Sequence, residues 1–480
     1  MAEKKYSGVR ESKPGRINDL GGSSKIIEED FKKGCLKRAD RSFSQGLQCQ
    51  QINSMAALMS LEDAVFVSHS PQGCVGCTIM AVDMYRVGQA HRGIKNIKNP
   101  RIIVTNLDQK SVVFGGGNKL KESVKKAVER YNPKVIFIYA SCASGIIGDD
   151  IDAIASELQK EYESAIIVPI HCEGFKSKVC ASGFDAAFLS INKYILKGEK
   201  QPKQKGLVNL FAPTTVSYAD QLEMERMLEL IGAKVNYIPF YSSLEKIKQI
   251  PAAEASTSIC KVFADEFMKT LWEDYEIPYS HTVMPIGIRN TDKWYRGIAK
   301  VLGKEKEVEK IIEKEHERIE PLVKKIRNRL EGKRVFICGG TGRSFAAAAL
   351  IDDFGMKLVG LETPTYDDDA QVDIEYLNKI HKDFVVDIAN MQPFEQVNLI
   401  NKLKPDAFIG VPEWTAKFGI PTTHVLDGKR PTMGYDGLLY LGNKIADQLE
   451  NPGFNKKLSK HVKLPYKDSW YEEDAFKYIV

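Results

Sequence analysis

The stretch "NKLKESVKKAVERYNPKVIFIYASC" (residues 118–142) decides the fold class, because a helical segment runs directly into a buried strand. Its first half, "NKLKESVKKAVERYN", has the apolar periodicity of a helix with one buried face. The run "VIFIYAS" (135–141) is short and continuously apolar, as strands are when helices cover both faces of a sheet. A helix followed by such a strand is typical of the repeating unit of a parallel sheet.

The same alternation extends along most of the chain. "RIIVTN" (101–106) and "AIIVPIHC" (165–172) are further candidates for buried strands, and "DDIDAIASELQKEYE" (149–163) has helical periodicity. The alternation pauses at "LKGEKQPKQKG" (196–206), a charged stretch with Pro and Gly that we interpret as a linker, and then resumes. The sequence therefore predicts an α/β fold of three Rossmann-like units with parallel sheets.

A long charged segment separates the second unit from the third. Residues 304–331 are predicted to form a helix with a solvated face. The predicted organisation is an N-terminal extension (1–45), a first Rossmann-like unit (46–200), a second unit (205–303), a connecting helix (304–332) and a third unit (333–480).

Composition excludes several classes of function. A net charge of +5 spread over 480 residues does not favour a nucleic-acid partner. The N-terminal stretch is polar and lacks the apolar core of a signal peptide. The longest apolar runs have the length of strands and are far too short to span a bilayer. We expect no membrane partner and a cytoplasmic location.

The cysteines lie where such a fold binds ligands. In a cytosolic chain of this size, thiols are expected to be ligands, catalytic groups or buried core residues rather than disulfides. Ligands of open α/β sheets sit at the carboxyl ends of the strands, and several thiols follow predicted strands directly. The nine cysteines are Cys35, Cys49, Cys74, Cys77, Cys142, Cys172, Cys180, Cys260 and Cys338.

The pair Cys74 and Cys77 has three possible interpretations. A CxxC that follows a strand is found in thioredoxin-type redox sites. A zinc site needs a second CxxC or a His pair, which the sequence does not offer at matching spacing. The third interpretation groups Cys49, Cys74 and Cys142, because iron–sulfur clusters need several converging thiolates. Glycines beside these cysteines would let the backbone approach a bulky cluster: Gly73, Gly76 and Gly145.

Four motifs occur in the order and register of one family. They are "SHSPQGC" (68–74), "FGGGNKL" (114–120), "SCASGIIGDDI" (141–151) and "HCEGF" (171–175). With them, nearly the whole chain resembles the component 1 family of nitrogenases, whose α and β subunits carry iron–sulfur clusters. The resemblance implies that Cys49, Cys74 and Cys142 are ligands of a P-cluster-type cluster, 8Fe or 4Fe, at the interface with a partner subunit. Cys77 is an addition to the family pattern, either a further ligand or a bystander.

Two further matches resemble the catalytic subunit of that family. Cys260 opens "CKVFADEFMKTLWEDYEIP", and His424 opens "HVLDGKRPTMGYDG", each with the family's spacing to the motif that follows. The resemblance implies that these two residues hold a second, large iron–sulfur cofactor of the nitrogenase-precursor type, with Mo or V left open. A soft thiolate and an imidazole suit such a cofactor. The alternatives are a core cysteine and a structural loop histidine.

The Gly-rich turn "GGTGR" (339–343) stands at a predicted strand end. Gly339, Gly340 and Thr341 would point backbone N–H groups at an anionic cluster and so belong to the expected cofactor site. The alternative is an ordinary nucleotide-type turn. We place Gly342 and Arg343 in the expected catalytic pocket.

The pocket departs from that of the N₂-reducing enzymes. By resemblance, Cys180 and Phe184 occupy the positions of their glutamine and of the histidine tied to proton delivery, and Gly342 replaces an arginine. Where those enzymes place the lysine that grips homocitrate, the nearest match is Pro412. This pattern most resembles the methylthio-alkane reductases, nitrogenase-like enzymes that cleave C–S bonds reductively.

The resemblance therefore implies an oxidoreductase that acts on a small molecule. Its expected partners are a homologous β (K-type) subunit in an α₂β₂ heterotetramer and a separate ATP-dependent iron–sulfur reductase, since the chain has no P-loop motif. Two alternatives remain, a nitrogenase α subunit and a scaffold for cofactor assembly. Scaffold subunits generally lack the cofactor histidine, so His424 favours the catalytic role. The reductases of tetrapyrrole biosynthesis share the fold but have no need of the Cys260 and His424 pair.

Overall fold

The structure is a computed structural model with three β-sheets among the residues it describes. Those residues are 10, 16–36, 39–41, 49–213, 215–281, 283–390, 392–410, 413–425 and 428–479. None of the described helices is long and apolar enough to cross a membrane.

The described N-terminal residues belong to the third sheet. Strand β1 (Leu20–Ser23) pairs antiparallel with a strand of that sheet, and helix α1 (Ser24–Lys32) follows it. The segment predicted as an extension thus adds an antiparallel edge strand to a sheet that was expected to be purely parallel.

The first unit is a four-stranded parallel sheet of order β3-β2-β4-β5. Both central strands are buried along their whole length, which explains their continuous apolar sequence. The elements are α2 (Gln50–Leu58), β2 (Ala64–His69), α3 (Gln72–Gly76), α4 (Ile79–His91), β3 (Ile102–Val104), α5 (Gln109–Phe114), α6 (Gly117–Tyr131), β4 (Val135–Ala140), α7 (Cys142–Ile147), α8 (Ile151–Glu161), β5 (Ile166–Ile170) and α9 (Ala181–Ile191), which continues as a π-helical turn (Asn192–Leu196).

The stretch that predicted the fold is confirmed in detail. Helix α6 buries Leu120, Val124 and Ala127 on one face and ends at Asn132, which adopts the left-handed conformation of a helix C-cap. Three residues later the chain enters β4.

The second unit is a parallel sheet of order β7-β6-β8-β9. Its first strand begins at Gln204, inside the stretch interpreted as a linker. Its elements and the connecting helix are β6 (Gln204–Ala212), α10 (Tyr218–Glu229), β7 (Lys234–Pro239), α11 (Leu244–Lys248), β8 (Ala253–Ser258), α12 (Asp265–Tyr275), β9 (Tyr279–Ser280), α13 (Ile288–Leu302) and α14 (Glu305–Leu330).

The third sheet has six strands in the order β1-β12-β11-β10-β13-β14, and all pairs except that of β1 are parallel. Its elements are β10 (Arg334–Cys338), α15 (Thr341–Asp353), β11 (Lys357–Thr363), α16 (Asp368–Ile380), β12 (Val385–Ile388), α17 (Pro393–Leu403), β13 (Ala407–Ile409), β14 (Thr422–Thr423), α18 (Gly434–Glu450) and α19 (Gly453–Ser459). Short 3₁₀ turns lie at Gly174–Lys176, Ile250–Ala252, Glu413–Phe418 and Asp468–Tyr471.

Candidate functional site

The carboxyl end of the first sheet brings three predicted ligand cysteines together. Cys49 caps the N-terminus of α2, Cys74 lies in α3 just after β2, and Cys142 opens α7 just after β4. Helix α7 starts there because Ser141 and Ser144 form a reciprocal capping box. Because β2 and β4 are adjacent and parallel, the thiols that follow them meet at one sheet edge.

Gly174 lies between two of these thiols, and the motif analysis did not single it out as a site residue. A Cβ atom added at Gly174 would lie 2.9 Å from Cβ of Cys49 and 3.3 Å from Sγ of Cys142. Any side chain at position 174 would occupy the space between the two sulfurs. The glycine of "HCEGF" was the signal in the sequence, but only the fold shows which thiols it separates.

The thiols influence one another electrostatically. Burial raises the pKa of Cys49, and the nearby Cys142 and Cys77 raise it further. Burial likewise raises the pKa of Cys74, with additional contributions from Cys49, Cys142 and Cys77. Unliganded, these groups are therefore protonated at neutral pH, and a bound cation would release their protons. Within the described part of the chain, no three His, Cys, Asp or Glu side chains are placed to hold a single metal ion.

The glycines beside the cysteines have different roles. Cβ atoms added at Gly73 and Gly76 would meet nothing within 4 Å, so both face open space. A Cβ added at Gly145 would instead lie 2.9 Å from Cγ of Glu173. The expectation that Gly145 leaves room for a cluster is therefore wrong, because its neighbour is a protein side chain.

The second predicted site surrounds Cys260, two residues after β8. This cysteine is buried, and its backbone N–H donates to Oγ of Ser258 at 3.2 Å. Burial raises the pKa of the Cys260 thiol, while the positive charges of Arg343 and Lys261 lower it. The charge of Asp265 also raises this pKa and the net shift is upward, so the unliganded thiol keeps its proton and would release it on binding a metal.

The Gly-rich turn of the third unit faces this cysteine. Strand β10 ends at Cys338, Gly339 and Gly340 follow, and α15 begins at Thr341. A Cβ added at Gly342 would lie 3.3 Å from Sγ of Cys260. The N-terminal end of a 13-residue helix thus faces the thiol, and the helix dipole favours negative charge there.

The next residue of the turn, Arg343, is buried. Its Nη1 donates to the carbonyl oxygen of Val425, and its Nη2 donates to that of Thr215 at 3.2 Å. Burial lowers the pKa of Arg343, while the negative charges of Asp220 and Cys260 raise it. Among the described residues, Arg343 thus bonds carbonyls and no carboxylate.

Cys180 and Phe184 lie near Cys260. Burial raises the pKa of the Cys180 thiol, the charge of Arg10 lowers it, and the neighbouring Cys260 raises it. The ring of Phe184 packs edge-on against Phe263, with centroids 4.9 Å apart. Phe263 also packs against Phe188, with centroids 5.2 Å apart, so Phe184 belongs to an aromatic cluster close to the segment of Cys260.

His424 lies at the end of β14 and is exposed. The carbonyl of the next residue, Val425, accepts a hydrogen bond from Arg343 and another from Oγ1 of Thr432 at 3.2 Å. Arg343 therefore links the segment of His424 to the turn that touches Cys260. Pro412, which the family resemblance matches to the lysine that grips homocitrate, lies outside the described residues.

Sequence reasoning missed Arg10, which is fully buried behind Cys180. Its guanidinium bonds the carboxylate of Asp185 on α9 at 2.6 and 2.6 Å, and that of Asp265 on α12 at 2.6 and 3.2 Å. The polar sequence around Arg10 carries no pattern that predicts burial.

Comparisons with known proteins agree with this architecture. A family model described as Nitrogenase component 1 type Oxidoreductase matches residues 49–450. The chain is 25% identical over 408 residues to the nitrogenase molybdenum-iron protein alpha chain of Methanococcus maripaludis, covering 82% of this chain and 84% of that protein. It is 25% identical over 452 residues to the nitrogenase iron-molybdenum cofactor biosynthesis protein NifE of Rippkaea orientalis, covering 91% and 93% of the two proteins. The solved structure of nitrogenase Cp1 at pH 5 shares the fold, with a TM-score of 0.72 and 22% identity over 90% of this chain and 94% of that one.

Proposed function

The chain belongs to the nitrogenase component 1 type oxidoreductase family, and we propose that it is the catalytic subunit of an iron–sulfur reductase with two metal-cluster sites. The first site is formed by Cys49, Cys74 and Cys142. The second is formed by Cys260 and His424.

The first site suits an iron–sulfur cluster because of its cysteine ligands and because of the room between two of them. Three thiols converge at a sheet edge, and Gly174 supplies no side chain between Cys49 and Cys142. Soft thiolates in this number suit an iron–sulfur cluster.

The surface around this site supports a partner subunit. Large apolar side chains stand out from helices α5 and α7 and from the turn after β5, with exposed fractions of 86% for Phe114, 76% for Ile146 and 57% for Phe175. Apolar groups clustered in this way mark a protein interface. We propose that a homologous β subunit covers them and shares the cluster, in an α₂β₂ heterotetramer.

Replacing each ligand cysteine by alanine tests the first site. Cys49→Ala, Cys74→Ala and Cys142→Ala should each lower bound iron and the EPR signal of the interfacial cluster in the purified complex. Cys35→Ala is the matched control, because Cys35 is an exposed thiol elsewhere on the chain. Unchanged iron and spectra in all three variants would contradict the assignment.

The burial of Arg343 beside Cys260 is the observation that best supports the second site. Its buried guanidinium is bonded to two carbonyls and lies near both the carboxylate of Asp220 and the thiol of Cys260, so it adds positive charge to this site. The thiolate of Cys260 and a sulfide-rich cofactor supply negative charge, and the N-terminus of α15 adds to their stabilisation. The residues present therefore fit an anionic cofactor.

Each side chain would then have a distinct task. Cys260 and His424 would hold the cofactor, which when bound supplies electron-rich iron. Arg343 would balance charge, and Phe184 with Phe263 would exclude water from one side. Because the sequence has no P-loop, a separate ATP-dependent reductase would deliver the electrons.

The chemistry that fits this pocket best is reductive cleavage of a C–S bond in small methylthio-alkanes. Phe184 adds an apolar group near Cys260, and apolar surroundings favour a small neutral molecule. The reaction adds two electrons and two protons and releases methanethiol and a hydrocarbon, so it needs few proton donors beside the cofactor. The cofactor, when bound, would supply soft iron, which suits a sulfur leaving group.

A histidine variant tests the second site and the activity together. His424→Ala should loosen the second cofactor and abolish methanethiol release, measured by headspace gas chromatography, while the first cluster stays in place. His461→Ala, another exposed histidine, is the control and should behave like the wild type.

Two other functions correspond to named relatives and have distinct outcomes. The alpha-chain relative favours N₂ reduction, which predicts ammonia formation under N₂ without methanethiol. The NifE relative favours a scaffold role, which predicts full metal content and no reductase activity in the wild type, with no effect of His424→Ala.

A further inference from the structure

His424 is followed by a short loop whose two ends meet. The carbonyl of Val425 accepts a hydrogen bond from Oγ1 of Thr432 at 3.2 Å, and we call these two residues the neck of the loop. Thr432 and the next residue, Met433, are fully buried. Because His424 directly precedes the neck, whatever holds the neck also sets the place of this proposed cofactor ligand.

Asp220 on helix α10 of the second unit holds one side of the neck. Its Oδ1 accepts hydrogen bonds from the backbone N–H of Thr432 at 2.5 Å and from that of Met433 at 3.1 Å. The hydroxyl oxygen of Thr432 lies 3.1 Å from Oδ1 and 3.3 Å from Oδ2. The carboxylate is 0% exposed. Bonds from backbone N–H groups to an ionised carboxylate are stronger than bonds between neutral groups, so this contact ties the third unit firmly to the second.

The other oxygen of the same carboxylate serves its own helix. Ser217, the N-cap of α10, donates to Oδ2 from its hydroxyl at 2.8 Å and from its backbone N–H at 3.3 Å. Ser217 and Asp220 thus form a capping box, which needs only local partners. The bonds of Oδ1 to a residue 212 positions away are additional to that cap.

A cation holds the other side of the neck. Arg343 at the start of α15 donates to the carbonyls of Val425 and Thr215. Burial raises the pKa of Asp220, while the bond from Thr432 and the charge of Arg343 lower it. Burial lowers the pKa of Arg343, while the charge of Asp220 raises it. The neck therefore lies between two buried groups of opposite charge, one from each unit.

We propose that Asp220 is a positioning residue of the second site, which fixes the neck and through it the place of His424. The inference rests on the proposed function for His424 and adds a residue of the second unit that acts on a ligand in the third. Removing the carboxylate would leave the N–H groups of Thr432 and Met433 buried without a partner. Because a buried donor without a partner is costly, the neck should open.

Hydrogen exchange of the full-length chain without cofactor tests the hold on the neck. In Asp220→Ala, the amides of Thr432 and Met433 should exchange faster by about tenfold or more, because bonds to a charged group are lost. In Asp220→Asn, which keeps a neutral acceptor, their exchange should lie between that of Asp220→Ala and the wild type. Ser217→Ala is the matched control: it removes the hydroxyl that bonds Oδ2 but no bond of Oδ1, so these amides should exchange as in the wild type.

The purified complex tests the consequence for His424. Asp220→Ala should retain less of the second cofactor than the wild type, and the EPR line shape of the cofactor that remains should change. The first cluster should keep its iron and its EPR signal. Asp220→Asn should recover part of the cofactor content, and Ser217→Ala should match the wild type.

The contrary outcomes are distinct. Unchanged exchange at both amides in Asp220→Ala would show that Asp220 does not hold the neck, and equal effects of Ser217→Ala would leave it only a helix cap. Faster exchange with full cofactor content and an unchanged EPR line shape would separate the neck from His424. If Asp220→Ala does not fold, the same comparisons with Asp220→Asn decide. If His424→Ala also keeps the cofactor, the proposed function itself fails.

Discussion

Arg10→Met should lower the free energy of unfolding at pH 7 by about 3–5 kcal/mol, the usual cost of removing one partner of a buried ion pair. Arg10 is 0% exposed and Asp185 2% exposed, and the guanidinium contacts two carboxylates with four hydrogen bonds. Methionine keeps most of the volume but leaves Asp185 and Asp265 buried without this cation. The free energy of unfolding should therefore fall by more than the loss of the four hydrogen bonds alone would cause.

Urea unfolding of the full chain measures the effect. Trp272 on α12 is a local fluorescence probe, because Asp265 stands at the start of the same helix. Arg329→Met is the matched control: Arg329 also bonds two carboxylates, Asp447 at 2.6 Å and Glu450 at 2.7 Å. Those carboxylates are more than half exposed, so this change should cost about 1 kcal/mol or less.

Two results would refute the reasoning about Arg10. One is a cost for Arg10→Met no larger than that for Arg329→Met. The other is failure of Asp185→Asn and Asp265→Asn to recover stability when added to Arg10→Met, since neutral amides remove two buried carboxylate charges that have lost Arg10.

Gly174→Ala should reduce the iron retained at the first site, because its Cβ would lie 3.3 Å from Sγ of Cys142. Gly73→Ala is the control and should retain wild-type iron, because its Cβ meets nothing within 4 Å. Equal iron retention in both variants would argue against the role of Gly174 in leaving room between the two thiols. Burial raises the pKa of Glu362 to about 8. This carboxyl therefore stays protonated in the folded chain at pH values where the unfolded chain has lost the proton, and its contribution to stability should fall as pH rises from about 4 towards 8. Thermal unfolding across this range should show a smaller decline for Glu362→Gln than for the wild type, and parallel curves would count against the raised pKa.

Elements with strong local patterns were predictable from the sequence. The strands at 135–140 and 166–170 are continuously apolar, and α6 repeats its buried residues at helical spacing. These signals are local because the period of a helix or strand follows from backbone geometry alone. The edge strand β1 carries no comparable signal. Its residues are only partly buried, and its pairing is with residues far along the chain.

The sequence by itself determined the alternation of strands and helices, the family resemblance and the residue types suited to clusters. Only the tertiary structure decided which of these residues meet. It placed Gly174 between two thiols, set Gly342 against Cys260 and buried Arg10 behind Cys180. Such contacts join residues tens to hundreds of positions apart. Within the first sheet they follow because parallel strands carry their carboxyl ends to a common edge, whereas Gly342 and Cys260 follow strands of different sheets and meet only through the packing of two units.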